Sequence, residues 1–448
     1  MSFETVLVAN RGEIALRVIE ACRELGLRSV AVYSEADAAM PYLQLADTSV
    51  CIGPPPPARS YLNVAAIISA VELTGAGAIH PGYGFLAENP HFVEVCEEHD
   101  VTFIGPSADT MRLVGNKLMA RETVARAGVP VLPAAEVPEE ADRLLEAGEE
   151  IGYPLLVKSV YGGGGRGMRF VASAEEIVAA VAAAGKEAEA ACGDGSLYLE
   201  KAAINPRHVE VQIFADDRGS IVHLGDRECS IQRRHQKMIE ESPAPNLTNE
   251  LRERLVEAAI LAARATQYRN AGTVEFLIDE TGGFHFVEMN ARIQVEHSVT
   301  EIVTGTNLIK EQIEIAVGEP LRWTQGEIVP RGHAIECRVT AEDPSRGFAP
   351  SCSTARVHEL PGGNGVRLDS ALFDGMVVSP HYDSLLAKLL TWGQEREEAR
   401  VRMLTALERF RVSGIATTCG FLHDVVSDPA FRRGEITTGL VEDILRQR

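Results

Sequence analysis

Residues 275–297, Glu275-Phe-Leu-Ile-Asp-Glu-Thr-Gly-Gly-Phe-His-Phe-Val-Glu288-Met-Asn290-Ala-Arg292-Ile-Gln294-Val-Glu296-His297, carry six polar side chains spaced so that they could act on one reactant. Two β-rich runs flank the turn sequence Thr281-Gly282-Gly283, and a hairpin symmetric about it sets Glu275 opposite Glu288 on one face. Like charges across a sheet repel, so the pair makes chemical sense around a cation. Hard oxygen ligands on a nucleotide site call for Mg²⁺. Asn290, Arg292, Gln294 and Glu296 follow at every second residue, and in an extended chain they share the face of Glu288. A solvated sheet face accounts for any one of these residues, but six in phase point to a built site.

The elements that must hold this row belong to a large acidic chain. It has 448 residues, 45% of them hydrophobic, enough for two or three cores, and a net charge of −21. With an isoelectric point near 5.1 it lacks the basic footprint that nucleic-acid backbones require. Eight cysteines are scattered without a C-x-x-C pair, which disfavours a zinc site or disulfide framework and fits a reducing cytoplasm. The start, Met-Ser-Phe-Glu-Thr, has no basic region leading into an apolar stretch, and no run reaches membrane-spanning length. A cytoplasmic protein with neither nucleic-acid nor membrane partner is expected.

At the N-terminus, strand Val6–Ala9, a helix-period segment from Ile14 to Cys22 ending at Gly26, and strand Ser29–Tyr33 make a βαβ unit. Ala76–Ile79 and Val101–Ile104 extend a doubly wound parallel sheet, with a boundary near Gly115. The loop His80 to Asn89, containing Tyr83, follows a strand's carboxyl end, where such sheets bind ligands. Further on, strand Leu155–Lys158 runs into a glycine loop with Gly163, Gly164, Gly165 and Gly167, and the chain resumes as strand Arg169–Ala172. The loop formally satisfies G-x-G-x-x-G, yet it opens no helix and lacks the G-x-x-x-x-G-K-[ST] pattern, which excludes dinucleotide and P-loop readings. A glycine hairpin with a lysine at its base is instead a flap whose backbone N–H groups can wrap a triphosphate. Glu200 and the connector after it suit an adenine amino group, and Glu210 and Gln212 share a strand face with His208. Arg233, Arg234, His235 and Lys237 concentrate positive charge that would neutralise bound phosphate or bicarbonate.

This order of parts resembles the ATP-grasp fold. Within it, Met289-Asn-Ala-Arg292-Ile-Gln-Val-Glu296-His, Arg233-Arg-His235-Gln-Lys237, Asn10-Arg-Gly-Glu-Ile-Ala-Leu-Arg17, His80-Pro-Gly-Tyr83-Gly-Phe-Leu86 and Glu336-Cys-Arg338 resemble the biotin carboxylase component of biotin-dependent carboxylases, over residues 1 to about 445. The resemblance implies an α/β (α+β) chain with an N-terminal doubly wound domain over 1–114, an ATP-grasp domain over 115–330 whose lid covers about 131–203, and a mixed C-terminal domain over 331–448. It implies a C–N-forming ligase that carboxylates biotin on a separate carrier, using ATP, Mg²⁺ (or Mn²⁺) and bicarbonate, as the first half-reaction of an acyl-CoA carboxylase such as acetyl-CoA carboxylase in fatty acid biosynthesis.

The roles that follow from the resemblance are specific. Glu296 is the general base toward bicarbonate, which Arg292, Gln294, the Val295 backbone and Lys237 hold. Lys117, Lys158 and the flap glycines grip the phosphates, with Glu275, Glu288 and Asn290 at the metal. Arg338 stabilises the biotin enolate, with Tyr83 beside the biotin. Met168, Glu200, Lys201, His208, Gln232 and His235 surround adenine and ribose. No Ala-Met-Lys-Met biotinylation signature occurs, so the expected partners are a separate biotin carboxyl carrier protein and a carboxyltransferase, with the chain itself forming a homodimer. The chain departs from the family pattern at Val160-Tyr161, Ala291, Ser298 and Glu20, where small residues, Thr, Pro and a basic residue respectively are usual. An ATP-grasp ligase joining a carboxylate to an amine would share Lys117, Lys158, Glu275 and Glu288, but has no need of Arg292, Glu296 and Arg338 together.

Overall fold

A computed structural model describes residues 3–138, 140–162, 165 and 167–447. Strands β1 (Thr5–Val8), β2 (Arg28–Ser34), β3 (Thr48–Gly53), β4 (Ala78–His80) and β5 (Thr102–Phe103) form a parallel sheet in the order β3-β2-β1-β4-β5. The order reverses beside β1, so the carboxyl ends of β1 and β4 open a crevice between them. Asn10, just past β1, donates through Nδ2 to the carbonyls of Pro81 and Tyr83, both at 2.7 Å, and fixes the loop after β4. Gly82 in that loop has φ +62°, and a Cβ there would meet Asn10 Nδ2 at 2.9 Å, so both conformation and space require glycine.

Strands β6 (Ala134–Glu136), β7 (Leu155–Ser159), β8 (Arg169–Val171) and β9 (Leu197–Lys201) form a small antiparallel sheet ordered β6-β9-β7-β8. Helices Ala141–Ile151 and Ala174–Cys192 cover it through Leu144, Ile177, Ala184 and Ala188. The expected strand–glycine–strand hairpin is therefore the β7–β8 pair.

The largest sheet is built from β10 (Arg207–Ala215), β11 (Ile221–Arg233), β12 (Gln236–Ser242), β13 (Asn270–Ile278), β14 (Phe284–Asn290), β15 (His333–Thr340) and two strands at Leu385–Gly393 and Val366–Ser370. Its eight strands run β14-β13-β10-β11-β12-β15, then Leu385–Gly393 and Val366–Ser370. Pairing of β12 with β15 carries it without interruption past residue 331, the domain boundary that the resemblance implies. Among the described residues, no helix is long and apolar enough to cross a membrane.

Two details of register aim the polar row. Phe276 faces Phe286 and Ile278 faces Phe284, so a hairpin continuing in that register would put Val287 opposite Glu275; a shift between Glu275 and Phe276 instead brings Glu288 there. The expected pairing occurs, but a bulge produces it, as bulges beside functional sites re-aim side chains. The extended row also stops earlier than its spacing suggests. β14 ends at Asn290, the chain bends, and Glu296 lies at the N-cap of helix His297–Thr304.

Candidate active site

Lys237 sits at the centre of the site. β11 and β12 join through Arg234 and His235, whose φ values of +49° and +63° make a tight two-residue turn that sets Gln232 opposite Lys237. The Lys237 ammonium lies 2.6 Å from Glu210 on β10, 3.1 Å from Glu275 on β13 and 2.7 Å from Glu296. Burial opposes its charge, but these three carboxylates hold its pKa well above that of an ordinary lysine. Glu296 is wholly buried; burial alone would raise its pKa, yet Lys237, Arg338 and Arg227 hold it well below the usual carboxylate range. Arg338, delivered by β15, lies 2.9 Å from Glu296 and 2.5 Å from Glu240.

The rest of the polar row gathers around Glu275 and Glu88 despite the bend after Asn290. Arg292 donates to Glu88 at 3.0 Å, to Gln294 Oε1 at 2.8 Å and to Asn290 Oδ1 at 3.1 Å. Asn290 and Gln294 in turn donate to Glu275 Oε1, at 2.9 and 3.1 Å. On the flap side, Lys117 faces Glu288 at 3.1 Å and Lys158 faces Glu200 at 2.9 Å. Lys117 also donates to the Gly162 carbonyl at the base of the flap. Gly165 packs so closely on His235 that a Cβ would meet the imidazole at 2.6 Å. Met168 closes the far side, its N–H on the Gly165 carbonyl at 3.3 Å. Gly163 and Gly164 lie outside the described residues.

The other expected residues are held by contacts of their own. His208 lies 2.8 Å from Glu275, because β10 pairs directly with β13. Both oxygens of Glu200 are engaged, one by Lys158 and the other by Arg121, which fixes the carboxylate at the base of the flap. The Lys201 ammonium is committed to the carbonyls of Gly152 and Tyr153, at 2.9 and 2.8 Å. Of the expected basic group, only Lys237 enters the carboxylate cluster. Arg233 turns to the Gly347 carbonyl at 2.8 Å and the Phe348 ring, while Arg234 is exposed at the turn. Tyr161 reaches out of the flap base to Asn116 at 3.0 Å.

Glu210 and Gln212, read from the sequence only as sharing a strand face with His208, are both wholly buried. They hold Arg227, also fully buried, at 2.5 and 2.8 Å, and Arg227 reaches Thr273 and Thr300 as well. The usable signal was their alternation with His208 between Val209, Val211 and Ile213. Glu240 carried no local signal, since its partner Arg338 comes from a distant strand, and Glu88, in the loop after β4, meets Arg292 only where the chain bends after β14.

As a donor set for a divalent cation, the site has two carboxylates, Glu275 and Glu288, facing each other on neighbouring strands, with Asn290 against the first. His208, Glu210 and Glu275 also bring three ligand atoms within 4.8 Å of one another.

Comparison with known proteins gives three family matches in chain order: the biotin carboxylase N-terminal domain over residues 2–111, the ATP-binding domain of carbamoyl-phosphate synthase L chain over 116–324, and the biotin carboxylase C-terminal domain over 336–443. A biotin carboxylase of Nostoc sp. is 49% identical over 445 residues, covering 99% of this chain and all of that protein. A pyruvate carboxylase component from Methanothermobacter thermautotrophicus is likewise 49% identical, covering 99% of this chain and 90% of the relative. Among solved structures, the biotin carboxylase domain dimer of Hydrogenobacter thermophilus 2-oxoglutarate carboxylase, in complex with MgADP, ADP and bicarbonate, superposes with a TM-score of 0.95 at 46% identity, covering 99% of this chain and 98% of that one.

Proposed function

The chain belongs to the biotin carboxylase family, and on that premise we propose that it uses MgATP and bicarbonate to carboxylate biotin on a separate carrier protein. The observation that carries this reading is Glu296: fully buried and bridging Lys237 and Arg338, two cations from the paired strands β12 and β15 that favour its ionised form. Arg292, Gln294 and the Val295 backbone hold bicarbonate beside it. Glu296 takes the bicarbonate proton as the oxyanion attacks the γ-phosphorus, the bond to ADP breaks, and carboxyphosphate forms. Lys117, Lys158 and the flap hold the phosphates in line, while Lys237 balances charge on the transferred group. Glu275 and Glu288, with Asn290 beside them, would hold Mg²⁺, which supplies charge neutralisation at the phosphates when bound. Carboxyphosphate then releases CO₂, its phosphate accepts the ureido proton of biotin, and Arg338 stabilises the enolate that attacks CO₂, with Tyr83 at the biotin.

Beyond the half-reaction, we propose a place in an acyl-CoA carboxylase such as acetyl-CoA carboxylase, a biotin carboxyl carrier protein and a carboxyltransferase as partners, a cytoplasmic homodimer, and domain divisions near residues 115 and 331. A dimeric biotin carboxylase domain among the similar structures supports the dimer. Relatives named for pyruvate and 2-oxoglutarate carboxylases support leaving the choice of acceptor to the carboxyltransferase. The test is ADP release from MgATP with bicarbonate present or depleted, and with or without free biotin. Turnover that requires bicarbonate and rises with biotin is the expected result; turnover indifferent to both refutes the assignment.

A further inference from the structure

We propose that Lys388 is a positioning residue for this reaction, a buried cation that fixes the peptide entering Glu296 and, through Glu13, the hydroxyl of Tyr83; this rests on the functional reading above. Lys388 lies on strand Leu385–Gly393, opposite Arg338 on one neighbouring strand and Asp369 on the other. Its side chain is completely buried, and a lone ammonium there would be costly, so its contacts must satisfy it fully. An ammonium has three donors. They meet the Val295 carbonyl at 2.9 Å, the Ser298 hydroxyl at 2.9 Å and Glu13 Oε1 at 3.2 Å. Asp369, 3.7 Å away, completes the charge balance and accepts the Ser298 proton at 2.8 Å. Ser298, where the family usually has proline, is thus oriented from both sides.

The geometry connects two halves of the site. The carbonyl of Val295 belongs to the peptide that leads into Glu296, so gripping it sets the backbone from which the base projects at the head of helix His297–Thr304. Glu13 Oε1, on Lys388, also accepts the Tyr83 hydroxyl, whose loop Asn10 holds in the crevice between β1 and β4. One ammonium therefore references both the bicarbonate loop and the biotin-side tyrosine to the same strand. Nothing in this arrangement touches Lys117 or Lys158, so nucleotide binding is outside its reach.

The test compares wild type with the charge-balanced double variant Lys388→Met/Glu13→Gln and with Ser298→Ala, measuring bicarbonate-dependent ADP release, its stimulation by free biotin, KM for ATP and thermal stability. In the double variant kcat falls by about tenfold or more, the equivalent of one lost hydrogen bond to a charged group, and biotin stimulation is lost while KM for ATP stays put. Ser298→Ala lowers kcat less, with the same selectivity, and decides the matter if the double variant does not fold. Wild-type kcat and biotin response in a folded variant, accompanied only by a lower Tm, overturn the proposal and leave Lys388 a structural cation. Absence of bicarbonate-dependent turnover in the wild type overturns the functional reading itself, and the Lys388 assignment with it.

Discussion

Replacing Glu296 by glutamine should nearly abolish turnover while leaving the fold and nucleotide binding in place. Glu296 Oε1 accepts from Lys237 at 2.7 Å and Oε2 from Arg338 at 2.9 Å. Glutamine preserves the shape and one acceptor but turns an NH₂ toward a cation, losing one charge-assisted hydrogen bond, about 1.5–3 kcal/mol. The neighbours remain paired: Lys237 keeps Glu210 and Glu275, and Arg338 keeps Glu240 at 2.5 Å. Removing a buried carboxylate also removes its desolvation penalty, so the stability loss stays at or below about 3 kcal/mol. The rate loss is larger, because an amide cannot accept the bicarbonate proton; a lost general base costs roughly 10²–10⁴-fold. Initial rates of ADP release at saturating MgATP and bicarbonate, with KM for ATP and urea unfolding measured on the same preparation, give all three quantities. A folded Glu296→Gln protein retaining activity within about tenfold of wild type would refute the base assignment, since that is less than the smallest general-base contribution. The low pKa of Glu296 adds a condition: its ionised state contributes stability above the ordinary carboxylate range and loses it only as pH falls below that range, so Glu296 imposes no acid limb on the rate near neutrality.

Lys158→Gln should raise KM for ATP by about tenfold or more with little change in KM for bicarbonate, because the lost ammonium serves phosphates while Glu200 stays paired to Arg121; equal changes in both constants count against its phosphate role. Glu240, buried and only partly compensated by Arg338, is pushed up to about 7. A raised carboxyl pKa destabilises the fold progressively as pH rises from about 4.5 to 7, so Glu240→Gln should gain on wild type across that window by up to roughly 3 kcal/mol, read from urea midpoints; a pH-independent difference contradicts it. Gly165→Ala should raise KM for ATP, since the methyl would strike the His235 ring at 2.6 Å, and adding His235→Ala should restore part of the loss; φ of +74° retains the remainder. If the second substitution gives no recovery, the contact does not govern flap closure.

The sequence by itself determined what depends on near neighbours. Period-two spacing and one turn assembled Glu275, Glu288, Asn290, Arg292, Gln294 and Glu296, although a bulge and a bend modified the path. A lysine and glycines between two strands specified the flap, and the βαβ order specified the parallel sheet, because these follow from steric and hydrogen-bonding rules acting within a few residues. Only the tertiary structure decided which charges are buried and with whom. Glu240 meets Arg338 across 98 positions because β12 pairs with β15, and Lys388 meets Val295 across 93 because the sheet continues to Leu385–Gly393. The same pairing of β10 with β13 drew His208 to Glu275, and the far side of the hairpin turn drew Arg233 to Gly347. A charged residue in a strand reads as a solvated one until its counter-charge is in place, and that partner arrives only when distant strands align in register.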